Sequence, residues 1–132
     1  MGNRAVLIDT SILINYFRKK DKENTFLYKL FEKDFDLVVS VITLFEYKLG
    51  SKDEKFDDFI FNNIKIIDFD KSQGLLASRL YKELKKENKV IEFRDFFIAS
   101  CSIFLSIPLL TLNKNHFERI KKIEMFDERL LN

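Results

Sequence analysis

Four short apolar runs recur along the chain. The first, AVLI at residues 5–8, ends at Asp9, and similar runs span Leu37 to Val41, Ile64 to Ile67 and Leu109 to Leu112. These runs are rich in aliphatic residues and do not alternate with polar ones, which is typical of strands buried on both faces. The pattern therefore predicts a sheet whose strands are mostly parallel.

Apolar residues between these runs recur every three or four positions, which is the spacing of amphipathic helices. Strands that alternate with helices predict an α/β fold, here a three-layer sandwich with a central, mostly parallel sheet flanked by helices. A further edge strand is a candidate near Met125. The predicted helices cover Ile12 to Phe17, Phe26 to Phe31, Thr43 to Leu49, Phe56 to Ile60, Asp70 or Ser72 to about Asn88, Phe93 to Leu105, and His116 to Ile120.

Length and composition indicate one globular domain over residues 1–132. The chain is 46% hydrophobic and 33% charged, and its single cysteine, Cys101, excludes a disulfide framework and is expected to lie in the core. No apolar run approaches the ~18 residues of a membrane span, and no basic leader precedes an apolar stretch. We therefore expect a cytoplasmic protein with no membrane partner.

The charge balance limits how the protein could contact nucleic acid. With 23 Lys and Arg against 21 Asp and Glu, the net charge is +2, too small for a surface that is basic throughout. Any contact with RNA must come from local patches, although most such clusters are simply solvated. The candidates are Arg18, Lys19, Lys20, Lys85, Lys86, Lys89, Lys114 and Arg119.

Three acidic residues occupy positions where a functional site is expected. Asp9 directly follows the first strand, at the edge where parallel sheets bind ligands, although a turn or helix cap also explains it. Glu46 lies beside the apolar stripe of its helix, so its side chain must reach outward or meet a cation. Asp95 begins an apolar helix, where the helix dipole alone favours an acid. Together they suggest one shared divalent cation, Mg²⁺ or Mn²⁺.

Two polar residues late in the chain are weaker candidates. Asn113 follows the last strand, where its amide oxygen could ligate a metal or orient a metal-bound water, or could instead cap the next helix. His116 is the only histidine. Its place beside Phe117 on a short helix favours a packing or hydrogen-bonding role over that of a general base.

Four segments together resemble a known family. They are LIDTSILI at residues 7–14, SVITLFE at 40–46, DFFIAS at 95–100 and TLNKNHF at 111–117. In this order they resemble the four motifs of PIN-domain ribonucleases, and more closely those of the VapC-type toxins of toxin–antitoxin pairs. The similarity runs nearly from end to end.

The resemblance implies a role for each matching position. Asp9, Glu46 and Asp95 would be the metal-binding catalytic acids. Asn113 would be a fourth catalytic residue, at a position where the family has Asp or Asn, and the neutral amide leaves open whether one or two ions bind. The resemblance also implies supporting hydroxyl groups. Those near the acids or metal-bound water would be Thr10, Ser11 and Thr111. Those that brace the turn beneath Glu46 would be Ser40 and Thr43.

The implied activity is a Mg²⁺- or Mn²⁺-dependent endoribonuclease that leaves a 5′-phosphate and a 3′-hydroxyl. A VapC-type toxin would form a homodimer and be silenced by a small VapB-like antitoxin, commonly in contact with the first four helices. The alternatives are a PIN nuclease that processes RNA, for example ribosomal RNA, and an inactive module that binds RNA or a protein partner. A haloacid-dehalogenase phosphatase is disfavoured because Ser11 stands where that family needs a second acid. A receiver domain is disfavoured because no acids precede Asp9.

Overall fold

The computed structural model describes residues 4–89 and 91–132. Its sheet has four parallel strands in the order β3-β2-β1-β4. The predicted α/β sandwich with a parallel sheet is confirmed. The strands are β1 (Ala5–Ile8), β2 (Asp36–Ser40), β3 (Lys65–Ile67) and β4 (Leu109–Leu110).

Most helices begin at a side chain that accepts a hydrogen bond from a backbone N–H of the first turn, which explains where they start. These caps are Asp9, Thr25, Ser40, Asp53 and Asp70. In the described parts of the chain, no helix is both long and apolar enough to cross a bilayer. The helices are α1 (Thr10–Arg18), α2 (Phe26–Glu32), α3 (Val41–Gly50), α4 (Glu54–Asn62), α5 (Lys71–Lys86), α6 (Phe93–Leu105) and α7 (Lys114–Phe117), with short 3-10 turns at Lys22–Asn24 and Glu128–Leu131.

The central strand β1 separates two cores. Ala5 and Leu7 point to one face and pack with buried residues of α5 and α6, whereas Val6 and Ile8 point to the other and pack with α1 to α4. All four side chains are buried, which is why the strand shows no polar alternation. The sheet is thus covered on both faces, as the sequence predicted.

The strand order creates a switch point between β1 and β4. The chain proceeds from β1 to β2 and β3 on one side of the sheet, then crosses to place β4 on the other side of β1. Parallel sheets leave a crevice at such a point, outside the carboxyl ends of the strands. Asp9 follows β1 and Thr111 follows β4, so both lie at this crevice.

β2 begins at Asp36 and β3 at Lys65, each one residue from its predicted start, and two strands end before their predicted last residue. β2 ends at Ser40 rather than Val41, because the Ser40 hydroxyl accepts a hydrogen bond from the Ile42 N–H and α3 starts at Val41, two residues before the predicted Thr43. β4 stops at Leu110 rather than Leu112. The chain leaves the sheet there because the Thr111 hydroxyl donates a hydrogen bond to Asp9 Oδ2 at 2.6 Å.

The end of the chain also differs from the prediction. The last α-helix is α7, which starts at Lys114, two residues before the predicted start, and ends before the predicted Ile120. The proposed edge strand near Met125 is reduced to one parallel bridge with Leu109. Pairing cannot continue because Asp127 follows two residues later and caps the final 3-10 turn.

Cys101 lies in the core, as predicted. Its side chain is buried on α6, and burial raises the pKa of the thiol to about 11. The thiolate is the reactive form of cysteine, so this residue is chemically inert in the folded protein.

A buried carboxylate that the sequence did not reveal joins α3 to α4. Asp57 Oδ2 accepts hydrogen bonds from Lys48 Nζ at 3.0 Å and from the Ser51 hydroxyl at 2.6 Å. Burial acts to raise the pKa of Asp57, but these hydrogen bonds outweigh it and hold the pKa below its usual value. Because α3 also carries Glu46, the contact helps to hold one wall of the crevice.

We expect the substitution Asp57→Asn to lower the free energy of unfolding by about 2 kcal/mol at pH 7, since it removes hydrogen bonds to a charged group. Urea denaturation measures this. A carboxylate whose folded pKa is lowered stabilises the fold above its unfolded pKa, about 3.9, and the effect is lost as the pH falls through the folded pKa. The deficit of the variant should therefore shrink in acid.

The exposed neighbour Asp58 on the same helix provides a matched control. Asp58→Asn makes the same change in charge and should alter stability by no more than about 0.5 kcal/mol. Equal losses in the two variants would show that the contacts of Asp57 contribute nothing beyond its charge.

Candidate active site

The crevice at the carboxyl edge of the sheet forms a cleft of about 290 Å³. The structure brings together in this cleft the four residues that the sequence singled out as catalytic. The residues that line it are Asp9, Thr10, Ser11, Ile14, Glu46, Arg94, Asp95, Ile98 and Asn113.

Asp9 lines the cleft and is buried. Its Oδ1 accepts hydrogen bonds from the Ser11 N–H, at 3.1 Å, and from the Ser11 hydroxyl, and its Oδ2 accepts one from the Thr111 hydroxyl at 2.6 Å. Burial raises the pKa of Asp9, these hydrogen bonds oppose the rise, and the charge of Asp95 adds to it. The alternative role as a helix cap is also correct, because Asp9 caps α1.

Glu46 reaches into the cleft from α3 and meets a cation. Its Oε1 accepts a hydrogen bond from the Thr10 hydroxyl at 3.1 Å, and its Oε2 forms an ion pair with Arg94 Nη1 at 3.1 Å. Both carboxylate oxygens are therefore engaged. This resolves the question that the sequence left open for an acid beside an apolar stripe.

The two residues expected to brace the turn beneath Glu46 behave differently. Ser40 is buried and caps α3 through its hydroxyl. Thr43 is also buried, but its hydroxyl finds no hydrogen-bond partner among the residues that the structure describes. Only Ser40 therefore makes a bracing hydrogen bond.

Asp95 enters the cleft from the first turn of α6 and is buried. Its Oδ2 lies 3.0 Å from His116 Nδ1, which is the hydrogen-bonding role expected for this histidine. Burial raises the pKa of Asp95, as does the charge of Glu92, whereas His116 and Arg94 act to lower it.

Asn113 lines the cleft from the start of α7. It occupies the cap position, but its side chain makes no capping hydrogen bond. Its backbone N–H donates to the Thr111 hydroxyl at 3.0 Å, which connects it to the network around Asp9. The amide group is thus not committed to the helix.

The acids of the cleft are the type of ligand that a hard divalent cation prefers. Asp9, Glu46 and Asp95 offer carboxylate oxygens, and burial raises the pKa of Asp9 and of Asp95, so a nearby cation would favour their charged forms. In the described ranges, however, no three His, Cys, Asp or Glu side chains are arranged to hold a metal ion. The side chains of Glu46 and Asp95 are directed toward Arg94 and His116 instead.

Sequence reasoning missed Arg94. It is absent from the predicted basic candidates because it stands apart from the Lys and Arg clusters from which most of them were drawn. Its position immediately before Asp95 was an available signal, since neighbours in the first turn of a helix reach the same end of that helix. Only the structure shows that its guanidinium extends to Glu46 on α3.

Comparison with known proteins gives one family and consistent relatives. The model of the PIN domain matches residues 6–123. The chain is 33% identical over 128 residues to ribonuclease VapC1 of Methanocaldococcus jannaschii, an alignment that covers 93% of this chain and 88% of that protein.

Solved structures with the same fold come from toxin–antitoxin complexes. A chain of the DNA-bound VapBC complex from Salmonella typhimurium superposes with a TM-score of 0.81 at 20% identity, over 93% of this chain and 97% of that one. A chain of the DNA-bound VapBC2 complex from Rickettsia felis gives a TM-score of 0.77 at 24% identity, over 92% and 97%. At these identities the likeness establishes the fold.

We expect Asp9→Asn to leave the melting temperature of the protein in EDTA at pH 7 equal or higher. Asparagine retains an acceptor for the cap and removes a buried charge that faces Asp95. Because the folded pKa of Asp9 is raised, the wild type loses stability as the pH rises from the unfolded pKa through the folded one. The advantage of the variant should therefore grow with pH and close in acid.

Thermal denaturation monitored by circular dichroism between acidic and neutral pH tests this expectation. Asp58→Asn again provides the control, since the exposed Asp58 lies outside the cleft and should show no such trend. A lower melting temperature of Asp9→Asn at pH 7 would identify Asp9 as a structural residue whose charge the fold requires.

Proposed function

Because this chain belongs to the PIN-domain family and is related to VapC ribonucleases, we propose that it is an endoribonuclease that uses Mg²⁺ or Mn²⁺ to hydrolyse RNA phosphodiester bonds. The observation that carries the proposal is the meeting of Asp9, Glu46 and Asp95 in one cleft. Asp9 follows β1, Glu46 lies on α3 and Asp95 lies on α6, so segments far apart in the chain bring these acids to one cleft.

The chemistry explains why acids should gather where an anionic substrate must bind. A divalent cation offsets the charge of the phosphodiester and lowers the pKa of the attacking water. Asp9, Glu46 and Asp95 would hold the cation. Ser11 and Thr111, which donate hydrogen bonds to Asp9, would keep its carboxylate oriented. Thr10 would do the same for Glu46.

Asn113 would act as a neutral member of the site. An amide oxygen offers a ligand or hydrogen-bond acceptor without a formal charge. With three carboxylates and one amide, the charge of the site suits one divalent cation better than two. Its backbone contact with Thr111 would hold Asn113 beside the acids.

The proposed role is that of the toxin in a VapBC-type pair, acting in the cytoplasm as a homodimer of this one domain. The proposed partner is a small VapB-like antitoxin that covers the apolar side chains left exposed on the first four helices. Large apolar groups in contact with water commonly mark protein interfaces. The exposed residues are Phe17 on α1, Phe31 on α2, Phe45 and Leu49 on α3, and Phe59 on α4.

We expect purified protein to cleave structured RNA with Mg²⁺ or Mn²⁺ and to lose activity in EDTA. Asp9→Asn, Glu46→Gln and Asp95→Asn should each reduce cleavage by at least about a hundredfold, which corresponds to about 2.7 kcal/mol of transition-state stabilisation. Gel electrophoresis and end-labelling measure the rate and show whether products carry a 5′-phosphate and a 3′-hydroxyl.

Asp58→Asn serves as the control and should cleave at the rate of the wild type. RNA that stays intact with both metals would contradict the proposed activity. Cleavage that survives EDTA, or that survives loss of all three acids, would indicate a contaminating nuclease or a different site.

Toxicity separates the proposed toxin from a PIN nuclease that processes RNA. Expression of the chain alone should arrest bacterial growth, and Asp9→Asn should abolish the arrest. Co-expression with the proposed VapB-like antitoxin should restore growth. Normal growth despite active nuclease in the cells would favour an RNA-processing role, such as ribosomal RNA maturation.

A further inference from the structure

Arg94 makes an ion pair inside the cleft that the proposed reaction does not explain. Its Nη1 lies 3.1 Å from Glu46 Oε2, and its Nη2 lies 3.0 Å from Glu92 Oε2. The guanidinium therefore bridges a residue at the acidic site and a residue near the surface. Among the described residues that line the cleft, Arg94 is the only one with a positively charged side chain.

Two cations would therefore compete for the Glu46 carboxylate, namely the Arg94 guanidinium and the proposed divalent ion. Glu46 is one of the proposed metal ligands, yet its Oε2 is held by Arg94 and its Oε1 by Thr10. A divalent cation and a guanidinium repel each other, so they cannot both sit against the same carboxylate without a cost. This agrees with the finding that the described side chains include no three-residue group arranged for a metal.

We propose that Arg94 exchanges anions during the working cycle: it neutralises Glu46 before the divalent cation binds, and it binds an RNA phosphate once the cation takes that carboxylate. This inference rests on the proposed ribonuclease function and deepens it, because it assigns a substrate contact to a residue outside the acidic core.

The geometry suits Arg94 to both partners. The guanidinium presents a planar fork of N–H donors that matches carboxylates and phosphates equally well. Its side chain is 57% exposed, whereas Glu46 is only 18% exposed, so Arg94 reaches inward from the mouth of the cleft. The second contact, with the exposed Glu92, keeps the guanidinium near that mouth after it leaves Glu46.

A first measurement tests the competition without relying on activity. Isothermal titration calorimetry with Mn²⁺ should show that Arg94→Gln binds the ion about three- to tenfold more tightly than the wild type, as expected for loss of a partly exposed ion pair. Arg79→Gln, which removes a charge from the exposed face of α5, should leave Mn²⁺ affinity unchanged.

A second measurement tests the phosphate contact. At Mn²⁺ concentrations that saturate each variant, Arg94→Gln should raise KM for a single-stranded RNA about tenfold and change kcat by less than about threefold, the pattern of a lost binding contact. Arg94→Lys retains the charge without the fork and should fall between the wild type and Arg94→Gln. Arg79→Gln should match the wild type.

The outcomes separate this inference from the function on which it rests. Mn²⁺ binding that Arg94→Gln leaves unchanged or weakens overturns the exchange, because Arg94 then does not compete for Glu46. Tighter Mn²⁺ binding with an unchanged KM also overturns it, since the released guanidinium would have no phosphate to bind. A wild type that binds no Mn²⁺ overturns the proposed metal site and the exchange together.

Discussion

The carboxylate of Asp9, buried at the switch point between β1 and β4, is the constraint on which the rest of the site depends. It caps α1, accepts a hydrogen bond from Thr111 across the crevice and lies close enough to Asp95 for their charges to interact. Burial of an acid is costly unless hydrogen bonds and positive charge compensate it. Three hydrogen bonds compensate part of the cost of burying Asp9, but no hydrogen bond replaces the positive charge that a buried carboxylate also requires.

The protein provides side-chain partners for the two other acids of the cleft. Arg94 pairs with Glu46 and His116 lies against Asp95, so two of the three acids have a local partner. These contacts engage two of the acids within the folded chain. Under the proposed function, a divalent cation that bound here would have to displace these partners. The contacts that stabilise the fold at this cleft would then oppose metal binding.

Much of this arrangement follows from patterns that lie close together in the chain. Buried strands carry runs of aliphatic residues, helices carry stripes, and small polar residues cap helix starts, so the α/β sandwich and the position of Asp9 after β1 were readable. The three acids stood out because each interrupts an apolar context. The predicted ends of β2 and β4 were too late in the sequence, because side-chain hydrogen bonds of Ser40 and Thr111 end these strands before their apolar runs end.

The sequence by itself determined the kinds of elements, their order and the acids that face one edge of the sheet, because these depend on local spacing and on the shared direction of parallel strands. Only the tertiary structure decided which cations meet those acids. Arg94 and Glu46 are 48 residues apart in the chain and come from different helices. Ion pairs of this kind depend on how helices pack across the sheet, and no periodicity in the chain encodes that distance.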